Sequence, residues 1–180
     1  MNFLTANEIT QLFKEKNINA DKLEEMVVEK LISTGKKVAT AESCTGGLVS
    51  KRITEVSGAS AVFDCGVCSY SNEIKSKVLG VQKETLEVLG AVSAETAVQM
   101  AEGVKKLAGA DIGISTTGIA GPTGGSPEKP VGLVYVGVST DSGEYAIKLM
   151  LCEENTKFTS RNYIRKLTSD VVLYTILSIS

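Results

Sequence analysis

The stretch Lys37-Val-Ala-Thr-Ala-Glu-Ser-Cys-Thr-Gly-Gly47 joins a short β-type run to the beginning of a helical pattern. Lys37 to Ala41 has the composition of a strand, and apolar residues from Cys44 to Val56 recur at helical spacing before Gly58. The segment therefore predicts a strand, a turn and a helix. Ser43 lies in the turn, where backbone N–H groups at the helix start are available to a developing oxyanion. Two interpretations follow: Ser43 is a hydrolase nucleophile, or it only caps the helix.

A serine nucleophile needs a base, and this chain contains no histidine. The remaining candidates are lysine, tyrosine, a carboxylate or water. Tyr70 and Lys75 lie in the segment Tyr70-Ser-Asn-Glu-Ile-Lys75, directly after a second β-type run from Ala61 to Ser69. If the two strands are neighbours, their ends bring Lys75 towards Ser43, and burial would favour the neutral, basic form of the lysine. The alternatives are a solvated helix lysine and an aromatic residue at a strand end.

Helical and strand-like patterns alternate along the rest of the chain. Residues 1–35 are a helical opening segment, with one or two amphipathic helices between Asn7 and Ser33. Further elements are predicted as helices over Asn72 to Leu79, from a Ser93 N-cap to about Leu107 and over Thr156 to Ile179, and as strands over Asp111 to Thr116, Val131 to Thr140 and Glu144 to Leu151. This alternation, with a hairpin near the end, predicts an α/β fold: a three-layer α/β/α sandwich with a mixed central sheet. We expect residues 1–180 to form a single domain.

A long loop from Gly118 to Pro130 contains all three prolines of the chain. Because long ordered loops after strands are usually functional, we expect it to wall a ligand pocket, the alternative being a rigid connection. It has neither the Gly-Lys-Ser/Thr of a P-loop nor the fingerprint of a dinucleotide site. Arg161 and Arg165 follow one helical turn apart, and an arginine fork suits phosphate or carboxylate unless both form surface salt bridges.

The composition limits the partners of the chain. Its formal net charge is −2, its isoelectric point is near 5.4, and its basic residues are scattered among acidic ones, so nucleic acid is not an expected partner. No apolar run reaches the roughly 20 residues needed to span a bilayer, and the beginning of the chain does not resemble a signal peptide. We expect a soluble cytoplasmic protein without a membrane partner. Cys65 and Cys68 have the spacing of a redox or zinc half-site, but we expect reduced thiols buried in a strand.

Four blocks of the sequence, in this order, resemble the CinA carboxy-terminal domain family, which includes stand-alone nicotinamide-nucleotide amidases. The similarity extends over about 120 residues, from Val38 to Arg165. The blocks are Thr40-Ala-Glu-Ser-Cys-Thr-Gly-Gly47, Tyr70-Ser-Asn-Glu-Ile-Lys75, Gly90-Ala-Val-Ser93, and Thr117-Gly-Ile-Ala-Gly-Pro-Thr-Gly-Gly125 with Lys129-Pro-Val-Gly132.

The resemblance implies hydrolysis of the carboxamide of nicotinamide mononucleotide to nicotinate mononucleotide and ammonia, with no cofactor and no metal. It implies Ser43 as the nucleophile, with Lys75 and Tyr70 as its partners. The residues that it places on the substrate side are Cys44, Thr45, Gly46, Gly47, Thr117, Gly118, Lys129 and Arg161. The N–H groups near Thr45 and Gly46 are the expected oxyanion donors. A homo-oligomer is expected, because members of the family commonly form dimers or higher assemblies.

The sequence departs from the family in two places. A Gly-Asp-Arg element commonly precedes the last helix of the family, whereas this chain has Thr159-Ser-Arg161, so only the arginine corresponds. Longer members also have an amino-terminal domain linked to pyrophosphate hydrolysis, an activity that we do not predict here. Two alternatives to the nucleotide amidase stay open: a nucleotide-binding or regulatory module without turnover, and a serine hydrolase that acts on another small amide.

Overall fold

A computed structural model describes residues 3–152 and 160–180, which form a six-stranded mixed sheet with helices on both faces. The strands are β1 (Leu4–Thr5), β2 (Val38–Glu42), β3 (Phe63–Cys68), β4 (Ile112–Gly118), β5 (Leu133–Thr140) and β6 (Gly143–Met150). The seven α-helices of the described residues are α1 (Ala6–Glu15), α2 (Leu23–Thr34), α3 (Leu48–Thr54), α4 (Asn72–Leu79), α5 (Lys83–Val88), α6 (Ala94–Ala108) and α7 (Arg161–Ile179). The predicted three-layer α/β/α sandwich with a mixed sheet is confirmed.

The strand order β1-β6-β5-β4-β2-β3 determines where the candidate site lies. β2 pairs in parallel with both β3 and β4, whereas β4, β5 and β6 are joined by antiparallel pairing. The carboxyl ends of β2, β3 and β4 therefore meet at one edge of the sheet. Ligands of open α/β sheets bind at such an edge. Ser43, Tyr70 and the loop after β4 all follow these strand ends.

The two faces of the sheet have different helical partners. Apolar residues of α1, α2, α3 and α7 form one core cluster with the larger side chains of the strands, such as Ile112, Ile114 and Val136. On the other face, α4, α5 and α6 pack against small residues such as Ala39 and Ala41. Small residues of β2, β4 and β5 on this second face, such as Ala39, Gly113 and Gly137, allow helix α6 to approach the sheet closely.

Gly137 of β5 is one of the residues that permit this close approach. A Cβ atom on Gly137 would lie 2.1 Å from the backbone oxygen of Ala97 in α6, and backbone atoms do not yield cheaply. We expect Gly137→Ala to lower the free energy of unfolding by about 3 kcal/mol, measured by urea denaturation. The exposed Ser142→Ala is the control and should stay within about 0.5 kcal/mol of the parent. A loss below about 1 kcal/mol at Gly137 would contradict the packing described.

Local capping signals explain the helices that the sequence predicts best. Ser71 and Ser93 accept hydrogen bonds from the N–H groups of Ile74 and Thr96, at the starts of α4 and α6. Gly80 ends α4 in the left-handed conformation, with φ +70°. The predicted range of α4 agrees with the structure. The last helix begins at Arg161 after its N-cap Ser160, and its predicted start at Thr156 lies outside the described residues.

The structure differs from the sequence-based prediction at three places: the start of the helix after Ser43, helix α5 and strand β1. The helix after Ser43 begins at Leu48, because Gly46 and Gly47 both adopt positive φ and continue the turn. Ser43 therefore does not cap that helix. Helix α5 and the two-residue strand β1 were not predicted, since neither is long enough to show a clear period.

None of the described helices combines the length and apolar character needed to cross a bilayer.

The cysteine pair in β3 also differs from expectation. Cys65 is half-buried and Cys68 is exposed, so neither is the buried core residue expected. The physical reason is that β3 lies at the edge of the sheet, where one side of the strand has no neighbour. Cys65 packs on the α6 face, whereas Cys68 is next to Gly47 on the other face. Because the two thiols face opposite ways, they do not form a common site.

Candidate active site

Ser43 follows the last residue of β2 and is fixed by its backbone. Its N–H donates to the carbonyl of Thr116 at 2.9 Å, which continues the parallel pairing of β2 with β4 by one residue. The side chain is half-buried and faces a cavity at the carboxyl edge of the sheet. Ser43 is therefore an accessible hydroxyl on a rigid support, which is the first requirement of a nucleophile.

Lys75 brings an amine to this hydroxyl. Its Nζ donates to Ser43 Oγ at 3.1 Å and to the carbonyl of Ser69 at 2.7 Å. The side chain is only 1% exposed although it belongs to the first turn of α4, which follows β3 directly. The neighbouring ends of β2 and β3 thus place the two residues in contact, as the sequence analysis anticipated for adjacent strands.

The surroundings of Lys75 favour its neutral form. Burial lowers the pKa of Lys75, because the charged ammonium loses hydration there, while Cys44 opposes the shift. Cys44 would raise the pKa of Lys75 only as a negatively charged thiolate. Burial raises the pKa of the Cys44 thiol to about 12, so this thiol is uncharged at neutral pH. Among the described residues, no carboxylate forms an ion pair with Lys75. A neutral amine here could donate to Ser69 and accept the proton of Ser43.

Tyr70 and Arg161 close one side of the site. The Tyr70 hydroxyl accepts a hydrogen bond from Arg161 Nη2 at 3.0 Å, and Nη1 of the same guanidinium donates to the carbonyl of Gly121 at 3.0 Å. Tyr70 is 68% exposed, so it lies at the mouth of the cavity rather than inside it. Arg161 joins the mouth to the loop after β4, and it presents a positive charge to a ligand that enters there.

A cavity of about 220 Å³ lies between these groups. It is lined by Ser43, Cys44, Tyr70, Lys75, Ala91, Val92, Thr117, Gly118, Ala120 and Arg161. Ala91, Val92 and Ala120 were missed in the sequence analysis because their side chains carry no chemistry. The signal that could have indicated Ala91 and Val92 is their position inside the Gly90-Ala-Val-Ser93 block.

Thr117 organises one wall of this cavity. Its hydroxyl donates to the carbonyl of Ala91 at 2.6 Å, and its side chain is almost fully buried. That hydrogen bond fixes the segment before α6 against the end of β4. Thr117 therefore lines the cavity while its hydroxyl is bonded to the protein.

Four of the expected substrate-side residues do not line the cavity. Thr45 is fully buried, with its hydroxyl 2.7 Å from that of Thr116. Gly46 and Gly47 complete the turn that follows Ser43. Lys129 donates from Nζ to the carbonyl of Leu89 at 2.6 Å, and the structure does not bring it to Ser43.

The start of helix α3 is not the oxyanion site that the sequence suggested. The buried carboxylate of Glu42 accepts the N–H groups of Val49 at 3.1 Å and Ser50 at 2.8 Å. Two of the donors that a helix start would offer are therefore occupied from within the protein. The N–H groups of the turn itself, from Cys44 to Gly47, remain as the candidate oxyanion donors.

Arg161 and Arg165 do not form a common fork. Arg161 contacts the cavity that contains Ser43, whereas Arg165 donates from Nε and Nη2 to the carbonyl of Thr45, at 3.1 and 2.6 Å. Arg165 instead lines a second cavity between α2, α3 and α7. The two arginines, one turn apart on α7, therefore have different hydrogen-bond partners.

Comparison with known proteins places this chain in a family. The family model described as the CinA C-terminal domain matches residues 20–179. A competence-damage inducible protein from Thermoanaerobacter sp. (strain X514) is 56% identical over 162 residues, which are 90% of this chain and 39% of that protein. A CinA-like protein from Kosmotoga olearia is 55% identical over 144 residues, or 80% of this chain and 35% of its own length. The chain thus spans about two fifths of the length of such curated relatives.

Solved structures agree with this assignment. The competence/damage inducible protein CihA from Agrobacterium tumefaciens superposes with a TM-score of 0.83 at 38% identity, covering 89% of this chain and 94% of that chain. A CinA superfamily protein from Escherichia coli superposes with a TM-score of 0.81 at 26% identity, covering 90% and 92%. By sequence and by fold, this chain belongs to the CinA C-terminal domain family.

Proposed function

We propose that this protein is an amidase that hydrolyses the carboxamide of nicotinamide mononucleotide to nicotinate mononucleotide and ammonia. The observation that carries the proposal is the buried amine of Lys75, 3.1 Å from the hydroxyl of Ser43 at the wall of a cavity. A serine with a base in hydrogen-bond contact is the arrangement that acyl transfer requires. Membership of the CinA C-terminal domain family supports the choice of substrate through the resemblance of the site motifs.

The reaction proceeds in two steps that need only water as co-substrate. Ser43 Oγ bonds to the carboxamide carbon while its proton passes to the neutral Nζ of Lys75. The carbon–nitrogen bond then breaks, and the proton held by Lys75 leaves with the amide nitrogen as ammonia, with Tyr70 at the cavity mouth as a relay. Water attacks the ester, Lys75 takes a proton from it, and that proton returns to Ser43 Oγ as the acid product leaves.

The size of the cavity supports a division of the substrate between two regions. Pockets for whole drug-sized ligands have volumes of about 300 to 1,000 Å³, whereas this cavity has about 220 Å³. It therefore suits the carboxamide-bearing ring better than an entire nucleotide. The ribose and phosphate would remain at the mouth, where Arg161 offers a guanidinium that matches a phosphate group.

The proposal is tested by ammonia release from the purified protein. Nicotinamide mononucleotide, free nicotinamide and the dinucleotide are compared at equal concentration, and release is expected to be fastest from the mononucleotide. Binding of the mononucleotide without release would instead support a binding or regulatory module. Release from other small amides alone would support a different amide hydrolase, and either result would overturn the proposal.

A further inference from the structure

Arg165 makes an unusual contact with the turn that carries the candidate nucleophile. Two of its N–H groups, Nε and Nη2, donate to the same acceptor, the carbonyl oxygen of Thr45. The contact links α7 to a turn 120 residues earlier in the chain. An arginine whose planar fork is committed to a single main-chain oxygen constrains the orientation of that peptide group.

Arg165 and the residues that reach Ser43 lie on opposite sides of the sheet. Arg165 extends from α7, which packs with the first core cluster on one face of the sheet. Lys75 and Thr117 reach Ser43 from the other side, together with α4 and the segment before α6. The Thr45 carbonyl is thus held by Arg165 of α7, and it also accepts the N–H of Leu48 at the start of α3 at 3.3 Å. In a planar trans peptide the N–H of the next residue points the opposite way from the carbonyl, so a Thr45 carbonyl held by Arg165 turns the Gly46 N–H away from the Arg165 guanidinium.

We infer that Arg165 is a positioning residue, which aims the N–H of Gly46 at the oxyanion that forms beside Ser43. The inference rests on the proposed function. Two features of the turn support it. Glu42 occupies helix-start donors of α3, and the Ser43 N–H is bonded to Thr116, so the oxyanion needs a donor from the turn itself. Gly46, at φ +58°, adopts the left-handed conformation that such a turn requires.

The surroundings of Arg165 argue against a direct contact with substrate. Its guanidinium lies in a separate cavity of about 450 Å³, which also borders Lys51, Arg52 and Lys166. Arg161, not Arg165, lines the cavity that contains Ser43. Loss of Arg165 should therefore affect the stabilisation of the transition state more than the binding of the substrate.

The first test compares Arg165→Met with Arg165→Lys and with Lys166→Met. Arg165→Met should lower kcat for ammonia release roughly 10- to 100-fold, while KM stays nearly constant. The reason is that a misdirected N–H no longer stabilises the oxyanion, and the oxyanion forms only in the transition state. Arg165→Lys, which keeps one donor group, should fall between this variant and the parent. Lys166→Met removes a charge from the same cavity without touching Thr45 and should retain parental kcat. Free guanidinium ion, far below denaturing concentrations, should restore part of the kcat of Arg165→Met.

A second readout separates this inference from the proposed function. A small alkyl fluorophosphonate labels an activated serine, and its phosphoryl oxygen occupies the oxyanion position, so intact-mass measurement of Ser43 labelling needs no amide substrate. Slow labelling of Arg165→Met and Arg165→Lys, at unchanged thermal stability, supports the inference even if the parent releases no ammonia from the nucleotide. Parental labelling rate and kcat in Arg165→Met overturn the inference alone. A parent that neither labels at Ser43 nor releases ammonia overturns both.

Discussion

Ser43→Ala is expected to lower ammonia release from nicotinamide mononucleotide roughly 10⁴- to 10⁶-fold, because the proposed reaction proceeds through an ester at Ser43 and alanine cannot form it. The fold should be unaffected. Ser43 holds its place through a backbone N–H to Thr116 that alanine also has, and the side chain is only half-buried. Substrate binding should survive as well, since the cavity walls and Arg161 are unchanged.

The measurement is a coupled ammonia assay at saturating substrate, with calorimetry to record binding to the inactive variant. Ser57→Ala is the matched control, because Ser57 is an exposed serine just beyond α3. Ser57→Ala should retain the full rate. An Ser43→Ala variant that keeps more than a tenth of the parental rate would show that the reaction does not proceed through an ester at this residue.

Lys75→Met should reduce the rate roughly 10²- to 10⁴-fold, the range in which positioned general bases contribute. Methionine preserves most of the buried volume but accepts no proton. In the parent, burial lowers the pKa of Lys75 from the usual 10.5. In the proposed mechanism Lys75 acts as the base only when it is neutral, so the parental rate should rise with pH and level off at a pH below 10.5. That rise should be absent in Lys75→Met.

The control for this variant lies on the same helix. Lys77→Met removes an exposed lysine of α4 and should leave both the rate and its pH profile unchanged. Steady-state rates from about pH 6 to 10, with urea denaturation of each variant, separate catalytic loss from unfolding. If Lys75→Met retained the parental pH profile, another group would have to be the base.

The parts of the fold that follow from short-range pattern were predictable from the sequence. The Ser93 cap and the Gly80 terminator are local signals, since each acts on backbone groups within one helical turn. The alternation of helix and strand indicated the layered architecture in the same way. The edge position of β3 was not predictable, because periodicity shows which faces are apolar but not which strand lacks a neighbour.

The candidate site likewise has parts that could be predicted from the sequence and parts that could not. Ser43, Lys75 and Tyr70 could be proposed from their residue types and from the ends of two strands. The burial of Lys75 could not, because α4 has the polar pattern of a surface helix and the lysine becomes buried only when the strand ends assemble. The role of Glu42 was missed, and Arg165 was expected in a fork with Arg161, for a related reason: Glu42 bonds to backbone N–H groups at the start of α3 and Arg165 to the carbonyl of Thr45, and a backbone contact leaves no trace in a sequence pattern.

The pH dependence of Ser43 labelling by a small fluorophosphonate tests most directly whether the buried amine activates the serine. Intact-mass spectrometry follows the modification in the parent and in Lys75→Met, without any assumption about the natural substrate. The contact between Lys75 and Ser43 predicts that parental labelling accelerates with pH and levels off below pH 10.5, and that Lys75→Met labels far more slowly. Equal labelling rates in the two proteins at every pH would contradict it.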